Sequence, residues 1–350
     1  MKTEPEAASA ICERLGGELR ATLAEVLEGI KQVALVDFPE HDNVGDSAIW
    51  QGERRLLAEL DIDVVYCSTR NSYNAGALRQ RLHRSGTILL KGGGDFGDLW
   101  PNFQAFRERV LQDFPRRRIV QMPQTIHFSG RKTLSAAREV FGHHPNITVL
   151  VRDEQSLNVA HTLVGSRTRL CPDGAFSLRL RQPKSPEQDV LWLMRRDKEA
   201  AMDTDGTSCM TGVTTLVSDW PEDPFRKPEG PRIVRSIDYR LRRYNRMISQ
   251  NPSVGHLSRL NRPSSLDHRA ERRLAGGIDL LSRGRVVVTD RLHGHILCLL
   301  LNKPHVVVDN SYGKLGRFMA TWRTASDSVR VATGLDQAAK AAVELMNATR

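Results

Sequence analysis

The chain has 350 residues, of which 40% are hydrophobic and 6% aromatic, a composition that excludes a disordered protein and fits two packed domains. Its 51 lysines and arginines outnumber its 41 acids, so the formal net charge of +10 favours anionic partners without choosing among them. The five cysteines are irregularly spaced, which argues against a disulfide framework or a paired metal site.

Apolar residues at helical spacing predict an amphipathic helix over residues 7–30, and the apolar run at 32–38 predicts a buried strand. Strands and helices then alternate. Further strands are predicted at 62–67, 86–91, 118–122, 147–151 and 168–171, and helices at 46–60, 74–84, 102–113, 131–141 and 153–164. This alternation is typical of right-handed βαβ units, so the first half is predicted to form a parallel sheet.

A polar, proline-bearing stretch at 181–189 predicts a linker. Beyond it, strands are predicted at 190–194, 213–217, 285–289 and 305–309, and helices at 265–283, 292–302, 314–322 and 335–347. The sequence therefore predicts an α/β protein with two Rossmann-like domains, 1–180 and 190–350, whose parallel sheets face a cleft. Ligands of such sheets bind beyond the carboxyl ends of the strands.

Residues 219–263 interrupt the second half and carry ten basic and five acidic residues, about half of the charge excess of the whole chain. Two interpretations stay open for this basic insertion: a solvated charged loop, or a flap over an anionic substrate or membrane. The N-terminal residues include acids and no apolar run, and the apolar stretch 296–301 is too short to span a bilayer. We expect a cytoplasmic protein, with peripheral contact to the inner face of an anionic membrane left open.

Glycines and acids follow the predicted strands of the first half. Gly93 and Gly94 belong to three consecutive glycines directly after a strand, which favours a substrate-lining loop. Asp95 follows them and is a candidate general base toward a hydroxyl, whereas for Asp98 a helix cap is the better interpretation. Asp46 opens a helix after Gly45, where it caps the helix or contacts a polar ligand group.

Cations also follow predicted strands. Arg152 offers a planar fork of donors that fits a carboxylate or phosphate, although pairing with a nearby acid is the alternative. Arg291 and His293 stand two residues apart, so they can hold an anion and move a proton together. For His295 a structural role is favoured. Tyr312 and Lys314 follow the next strand, where Lys314 adds charge to an anion pocket or lies on the surface.

Five stretches carry a family resemblance: NVGDSAI, GGGDFGD, VRDEQSL, CPDGAFSL and TDRLHGHILCLLLNKPHVVVDNSYGKL. In this order, over about 37–315, they resemble the polysaccharide pyruvyl transferase family, which is similar in architecture to two-domain GT-B glycosyltransferases. The basic insertion 219–263 has no match there.

The resemblance implies a donor, phosphoenolpyruvate, and an acceptor diol of a polysaccharide, glycolipid or lipid-linked precursor, giving a pyruvate ketal and phosphate. It places the family's strand-end arginine at Arg152, its Arg-x-His pair at Arg291 and His293, and the acid of its glycine-rich loop at Asp95. Two arginine forks can hold the two anionic ends of such a donor, and His293 is then the candidate general acid. Either Asp95 or a neutral histidine can take the proton from the attacking hydroxyl. The other predicted substrate contacts are Asp46, Gly93, Gly94, Tyr312 and Lys314. No metal and no cofactor besides the donor are expected.

Two alternatives belong to other classes. A GT-B-type glycosyltransferase with a nucleotide-sugar donor would share the scaffold and release a nucleoside diphosphate instead of phosphate. A basic, non-enzymatic binding module is less well supported, because the charge excess is concentrated in one insertion. No nucleic-acid partner is expected.

Overall fold

The computed structural model describes residues 6–182, 184–195, 212–222, 263–309 and 313–348. Within these residues the strands form two parallel sheets, which confirms the predicted α/β class with two parallel-sheet domains. Most of the predicted basic insertion, residues 223–262, and the predicted contact Tyr312 lie outside the described residues. In the part of the chain that is described, no helix has both the length and the apolar character needed to cross a bilayer.

The first sheet has the strand order β2-β1-β3-β5-β6-β7, with β4 paired to β5. Its strands are nearly all buried, because helices cover both faces, as in other parallel sheets. The elements in chain order are α1 (Ala8–Val26), β1 (Gln32–Phe38), α2 (Val44–Glu59), β2 (Asp63–Thr69), α3 (Ala75–Arg81), β3 (Thr87–Leu90), β4 (Gly93–Gly97), α4 (Pro101–Asp113), β5 (Ile119–His127), α5 (Arg131–His143), β6 (Ile147–Val151), α6 (Glu154–Val164), β7 (Thr168–Leu170) and a 3-10 turn (Gly174–Ser177).

The second sheet has the order β12-β11-β10-β8-β9. Its central strand, β10, pairs with β8 and β11 and is buried along most of its length. The elements are β8 (Gln188–Leu193), β9 (Thr215–Ser218), α7 (Pro263–Arg283), β10 (Gly284–Thr289), α8 (Leu292–Leu300), β11 (His305–Val308), α9 (Lys314–Trp322), β12 (Val329–Ala332) and α10 (Leu335–Ala348).

The sequence pattern missed the short strand β4, which lies inside the predicted glycine loop. Its residues pair with β5 between Gly93 and Gln124 and between Gly97 and His127. Glycine has a low strand propensity, so the pattern predicts a loop where close backbone packing forms a strand instead. The edge strand β12 was missed for a different reason, since only four residues carry its signal.

The two sheets share one apolar core. Residues of the first sheet such as Leu35 and Leu89 belong to the same buried cluster as Leu191 and Val287 of the second. The helix α2 packs along α7, and α1 packs on α8. The contact of α2 with α7 is fixed by the Trp50 indole, which donates to the Asp267 carboxylate at 2.8 Å. The carboxyl ends of both sheets are therefore held against each other.

Candidate active site

A cavity of about 480 Å³ lies where the carboxyl ends of the two sheets meet. Six predicted site residues line it: Asp46, Gly94, Asp95, Arg152, Arg291 and His293. Gly93 lies just behind this lining with a positive φ of 142°, where a Cβ atom would come 3.1 Å from the Lys91 ammonium. Lys314 begins α9. The structure thus brings together residues that are up to 247 positions apart in sequence, from Asp46 to His293.

Arg152 follows β6 and is buried, with only 3% of its surface exposed. Its Nη1 atom donates to Oδ2 of Asp173, and its Nε atom donates to the Thr125 hydroxyl at 2.9 Å. The predicted alternative, an arginine paired with an acid, is therefore present. Since Arg152 also lines the cavity, the ion pair fixes the guanidinium there and leaves Nη2 without a partner among the described residues.

His293 is the second residue of α8, in its first turn, and approaches the first half of the chain across the cavity. Its Nε2 atom lies 3.4 Å from Oδ2 of Asp173, a long contact whose angle falls outside that of a good hydrogen bond. Asp173 is fully buried. Burial alone would raise the pKa of this carboxyl, but His293 and Arg152 hold it well below its usual range. One buried carboxylate thus links the predicted donor-binding arginine to the predicted acid.

Arg291 is the N-cap residue of α8 and is 6% exposed. Its Nη2 atom forms an ion pair with Asp219, which follows β9 and lines the same cavity. Its neighbour Asp290 accepts a hydrogen bond from the backbone N–H of Arg195 at 3.0 Å, and burial raises the pKa of Asp290 to about 6. Arg195 also lines the cavity, as its third arginine, and the sequence pattern did not indicate it.

Lys91 is a buried cation below the glycine-rich segment. Its ammonium group donates to Asp46 at 2.8 Å and to the Gly92 carbonyl at 2.7 Å, and it lies 4.0 Å from Asp95. Burial alone would lower the pKa of Lys91, but the carboxylates of Asp46 and Asp95 raise it above the usual value. Burial likewise opposes ionisation of Asp46, and Lys91 overcomes this by lowering the pKa of that carboxyl.

Asp95 is held by a buried polar network. Arg107 forms an ion pair with its carboxylate, and the Gln124 amide donates to the same Oδ1 atom at 3.0 Å. Gln121 accepts from Arg107 at 2.9 Å and completes the network. Although burial alone would raise the pKa of Asp95, Arg107 and Lys91 lower it. Asp95 is therefore an ionised and weakly basic carboxylate on the cavity wall.

Glu53 of α2 is fully buried behind the glycine-rich segment. Its Oε1 atom accepts the Gly92 N–H at 2.9 Å, whereas Oε2 has no hydrogen-bond partner among the described residues. Burial raises the pKa of Glu53 to about 8, so the side chain is largely protonated at neutral pH. A neutral carboxyl in this place holds Gly92 without adding a fourth negative charge beside Asp46, Asp95 and Asp173.

Two residues of the predicted motifs have structural roles. Asp98 accepts hydrogen bonds from Ser129 N, Gly130 N and the Thr133 hydroxyl at the start of α5, whereas α4, the helix that follows Asp98 in sequence, has Trp100 as its N-cap. His295 is fully buried in a chain of hydrogen bonds with His305 and Thr324, each 2.8 Å long. Burial holds the pKa of His295 well below its usual value, so it is a neutral core histidine.

Helix dipoles and arginines contribute positive potential at the cavity. The positive ends of the α2 and α8 dipoles meet at the cavity, next to Arg152, Arg195 and Arg291. Four of the acids that line it are paired with cations: Asp42 with Arg273, Asp46 with Lys91, Asp95 with Arg107, and Asp219 with Arg291. Among the described residues, no group of three or more His, Cys, Asp or Glu side chains has an arrangement that could hold a metal ion.

Sequence reasoning missed Lys91, Asp173, Glu53 and Arg107. For Glu53 and Arg107 the sequence did contain a signal, because each is a charged residue at a position where the helix pattern calls for an apolar one. Glu53 interrupts the buried stripe of Ile49, Leu56 and Leu57 on α2, and Arg107 interrupts that of Phe103 and Val110 on α4. A buried charge is costly and therefore marks a partner or a site. Asp173 offers no such signal, because it lies in a stretch without helical or strand periodicity.

Comparison with known proteins identifies relatives of this chain. The polysaccharide pyruvyl transferase family matches residues 43–312 of this chain. Pyruvyl transferase 1 of Schizosaccharomyces pombe is 34% identical over 306 residues, which cover 84% of this chain and 70% of that protein. EpsO of Bacillus subtilis, whose name assigns it to the pyruvyl transferases, is 29% identical over 316 residues, 88% of this chain and 91% of that protein.

A solved structure shows the same fold. It is that of an uncharacterized protein from Klebsiella pneumoniae, with a TM-score of 0.58 and 16% sequence identity. The match covers 91% of this chain and 99% of the Klebsiella chain. At this level of identity the likeness concerns the fold alone.

Proposed function

Because the chain belongs to the polysaccharide pyruvyl transferase family, we propose that it transfers a pyruvyl group from phosphoenolpyruvate to two hydroxyl groups of a saccharide. The products are a cyclic pyruvate ketal and phosphate. The observation that carries this proposal is the single cavity in which Arg152 of the first half meets Arg291 and His293 of the second.

Donor binding follows from charge and shape. Phosphoenolpyruvate carries a phosphate and a carboxylate, and each fits the planar donor fork of an arginine. Arg152 holds one end of phosphoenolpyruvate and Arg291 holds the other. Arg195 and the N-terminus of α2 add positive electrostatic potential. Arg291 exchanges its ion pair with Asp219 for the donor. Loss of one such desolvated contact costs about 2–5 kcal/mol.

The hard step is protonation of the methylene carbon, which creates an oxocarbenium-like centre at the neighbouring carbon. His293 supplies this proton, a role worth on the order of 10²–10⁴ in rate. The buried carboxylate of Asp173, 3.4 Å from Nε2, stabilises the imidazolium form and orients the ring. Asp173 is a positioning residue, since it lies behind His293 and does not line the cavity.

The acceptor then adds twice. The first hydroxyl attacks the cationic carbon, the C–O bond to phosphate breaks, and the second hydroxyl closes the ketal. Two hydroxyl protons are released: one replaces the proton that His293 gave to the methylene carbon, and the other leaves with phosphate. Asp95 accepts the hydrogen bond of the attacking hydroxyl, for which a weak base suffices because the carbon is strongly electrophilic.

The remaining assignments belong to the same proposal. The two sheets that border one cavity support a GT-B-like arrangement, with domains 1–180 and 190–350 joined by the linker 181–189. The acceptor is a polysaccharide, glycolipid or lipid-linked precursor, and Asp46, Gly93, Gly94, Tyr312 and Lys314 contact the substrates. The reaction takes place in the cytoplasm or at the inner face of the membrane, and needs no cofactor besides its donor.

The test is phosphate release from phosphoenolpyruvate across a panel of sugar glycosides, with nucleoside diphosphate release from nucleotide sugars measured in parallel. We expect acceptor-dependent phosphate release, and its loss by at least 10²-fold in Arg291→Gln and His293→Asn. The control is Arg179→Gln, an exposed arginine that does not line the cavity. Turnover of a nucleotide sugar alone would identify a glycosyltransferase and end the proposal.

A further inference from the structure

A second groove lies at the opposite edge of the first sheet, where the amino ends of β3, β5, β6 and β7 emerge. It encloses about 530 Å³, and five of its eleven lining residues are arginines: Arg84, Arg116, Arg117, Arg118 and Arg167. No aspartate or glutamate is among the described residues that line it. The strand β3 separates it from the glycine-rich segment of the catalytic cavity, a distance of about 13 Å.

Three of these guanidinium groups are held in place by backbone carbonyl oxygens. Arg117 donates to the carbonyls of His83, at 2.7 Å, and of Arg84. Arg118 donates to the Val26 carbonyl, and Arg167 to those of Val164 and His144. Carbonyl oxygens fix the geometry but leave the charge uncompensated. None of the five arginines forms an ion pair with an acid in the described part of the chain.

This arrangement differs from that of the catalytic cavity, where four of the lining acids are paired with cations. Burial and the charge of Arg79, which lies outside the groove lining, both lower the pKa of Arg117. Crowded and unpaired positive charge destabilises a folded domain. An anion that binds the arginines removes this cost, and the fixed guanidinium groups present their free N–H donors without a large loss of side-chain entropy.

We propose that this arginine groove is a second ligand site, which binds the phosphate groups of an anionic ligand. Arginine forks match phosphate oxygens bidentately, and the concave shape fits a ligand with several phosphate groups. The lining residues include no Phe, Tyr, Trp or His, so the groove offers no stacking platform for nucleic-acid bases. Two sources carry this chemistry: a free polyphosphate or the headgroup of an anionic phospholipid.

The experiment measures binding of tripolyphosphate by calorimetry, and of phosphatidylglycerol vesicles by flotation, at 0.15 M salt. All proteins carry Arg291→Gln, which weakens the cation set of the catalytic cavity. The groove variant is Arg84→Gln with Arg116→Gln, two exposed arginines whose side chains form no hydrogen bond or ion pair within the described part of the chain. The charge-matched control is Arg131→Gln with Lys132→Gln, which are exposed at the start of α5, beyond the carboxyl end of β5.

We expect the groove variant to lose about tenfold or more in affinity for one of the two probes, and the control to lose no more than about twofold. Loss with tripolyphosphate identifies a free ligand, and loss with vesicles alone identifies a lipid headgroup. Equal losses in both variants, or no binding of either probe, would overturn the proposal. So would tighter and equally groove-dependent binding of a single-stranded oligonucleotide, since that result would assign the groove to nucleic acid.

Discussion

Gly45 and His293 pack against each other across the cavity so closely that a Cβ atom on Gly45 would lie 2.5 Å from Cγ of the imidazole. Gly45 follows the N-cap Asn43 in the first turn of α2, and His293 lies in the first turn of α8. The first half of the chain therefore sets the position of the ring that the second half supplies, and only glycine permits this approach.

Gly45→Ala is expected to displace the His293 ring and to reduce turnover of phosphoenolpyruvate by on the order of 10²-fold, because a shift of about 1 Å is enough to lose the productive geometry. The matched control is Gly17→Ala in α1, where a Cβ atom meets nothing within 4 Å. That variant should keep full activity and gain about 0.5–1 kcal/mol in helix stability. Initial rates and thermal unfolding check both; normal turnover in Gly45→Ala would contradict the close packing.

Asp173→Asn tests the carboxylate that links Arg152 to His293. The amide keeps the shape and the cap on Ala175 N but removes the negative charge that favours the imidazolium. Because the proposed acid must be protonated, the alkaline limb of the kcat profile should move to lower pH when the neighbouring negative charge is removed. Asp98→Asn, which weakens a cap outside the cavity, should leave that limb in place. An unmoved limb in Asp173→Asn would make Asp173 purely structural.

Much of the fold and part of the site could be predicted from the sequence, for identifiable reasons. Strands of a parallel sheet are continuous apolar runs, so β1 and β6 were indicated within a residue or two. Arg152 and His293 follow such runs directly, and the ends of parallel strands converge. Asp173 and Lys91 were missed because their roles depend on partners 120 and 45 residues away. Such contacts are set by tertiary packing, which a local pattern does not contain.

Lys91→Met should be strongly destabilising, although methionine fits the buried volume. The substitution leaves Asp46 and Asp95 in a buried site without the ammonium that lies 2.8 Å and 4.0 Å from them. Loss of one partner from a buried pair costs about 3–5 kcal/mol, so urea unfolding should show a large drop in the free energy of unfolding. Adding Asp46→Asn should restore part of this loss, because it removes one uncompensated charge. If the changes in the free energy of unfolding of the two single variants simply add in the double variant, Lys91 and Asp46 are not coupled.

Glu53 makes the folded protein less stable as the pH rises. Its pKa is about 8 in the folded chain against 4.5 for a free glutamate, so the folded state binds the proton more tightly than the unfolded state. The stabilisation is complete below pH 4.5 and is lost as the pH rises to about 8. That loss amounts to about 3–5 kcal/mol.

Glu53→Gln keeps an acceptor for the Gly92 N–H and cannot ionise, so it should be more stable than the parent chain at pH 8 and differ little from it at pH 5. Urea unfolding from pH 5 to 9 measures the difference, with Glu139→Gln on the exposed face of α5 as the control. Parallel curves for the parent chain and Glu53→Gln would mean that Glu53 is already ionised in the folded protein, and that Lys91 compensates its charge as well as those of Asp46 and Asp95.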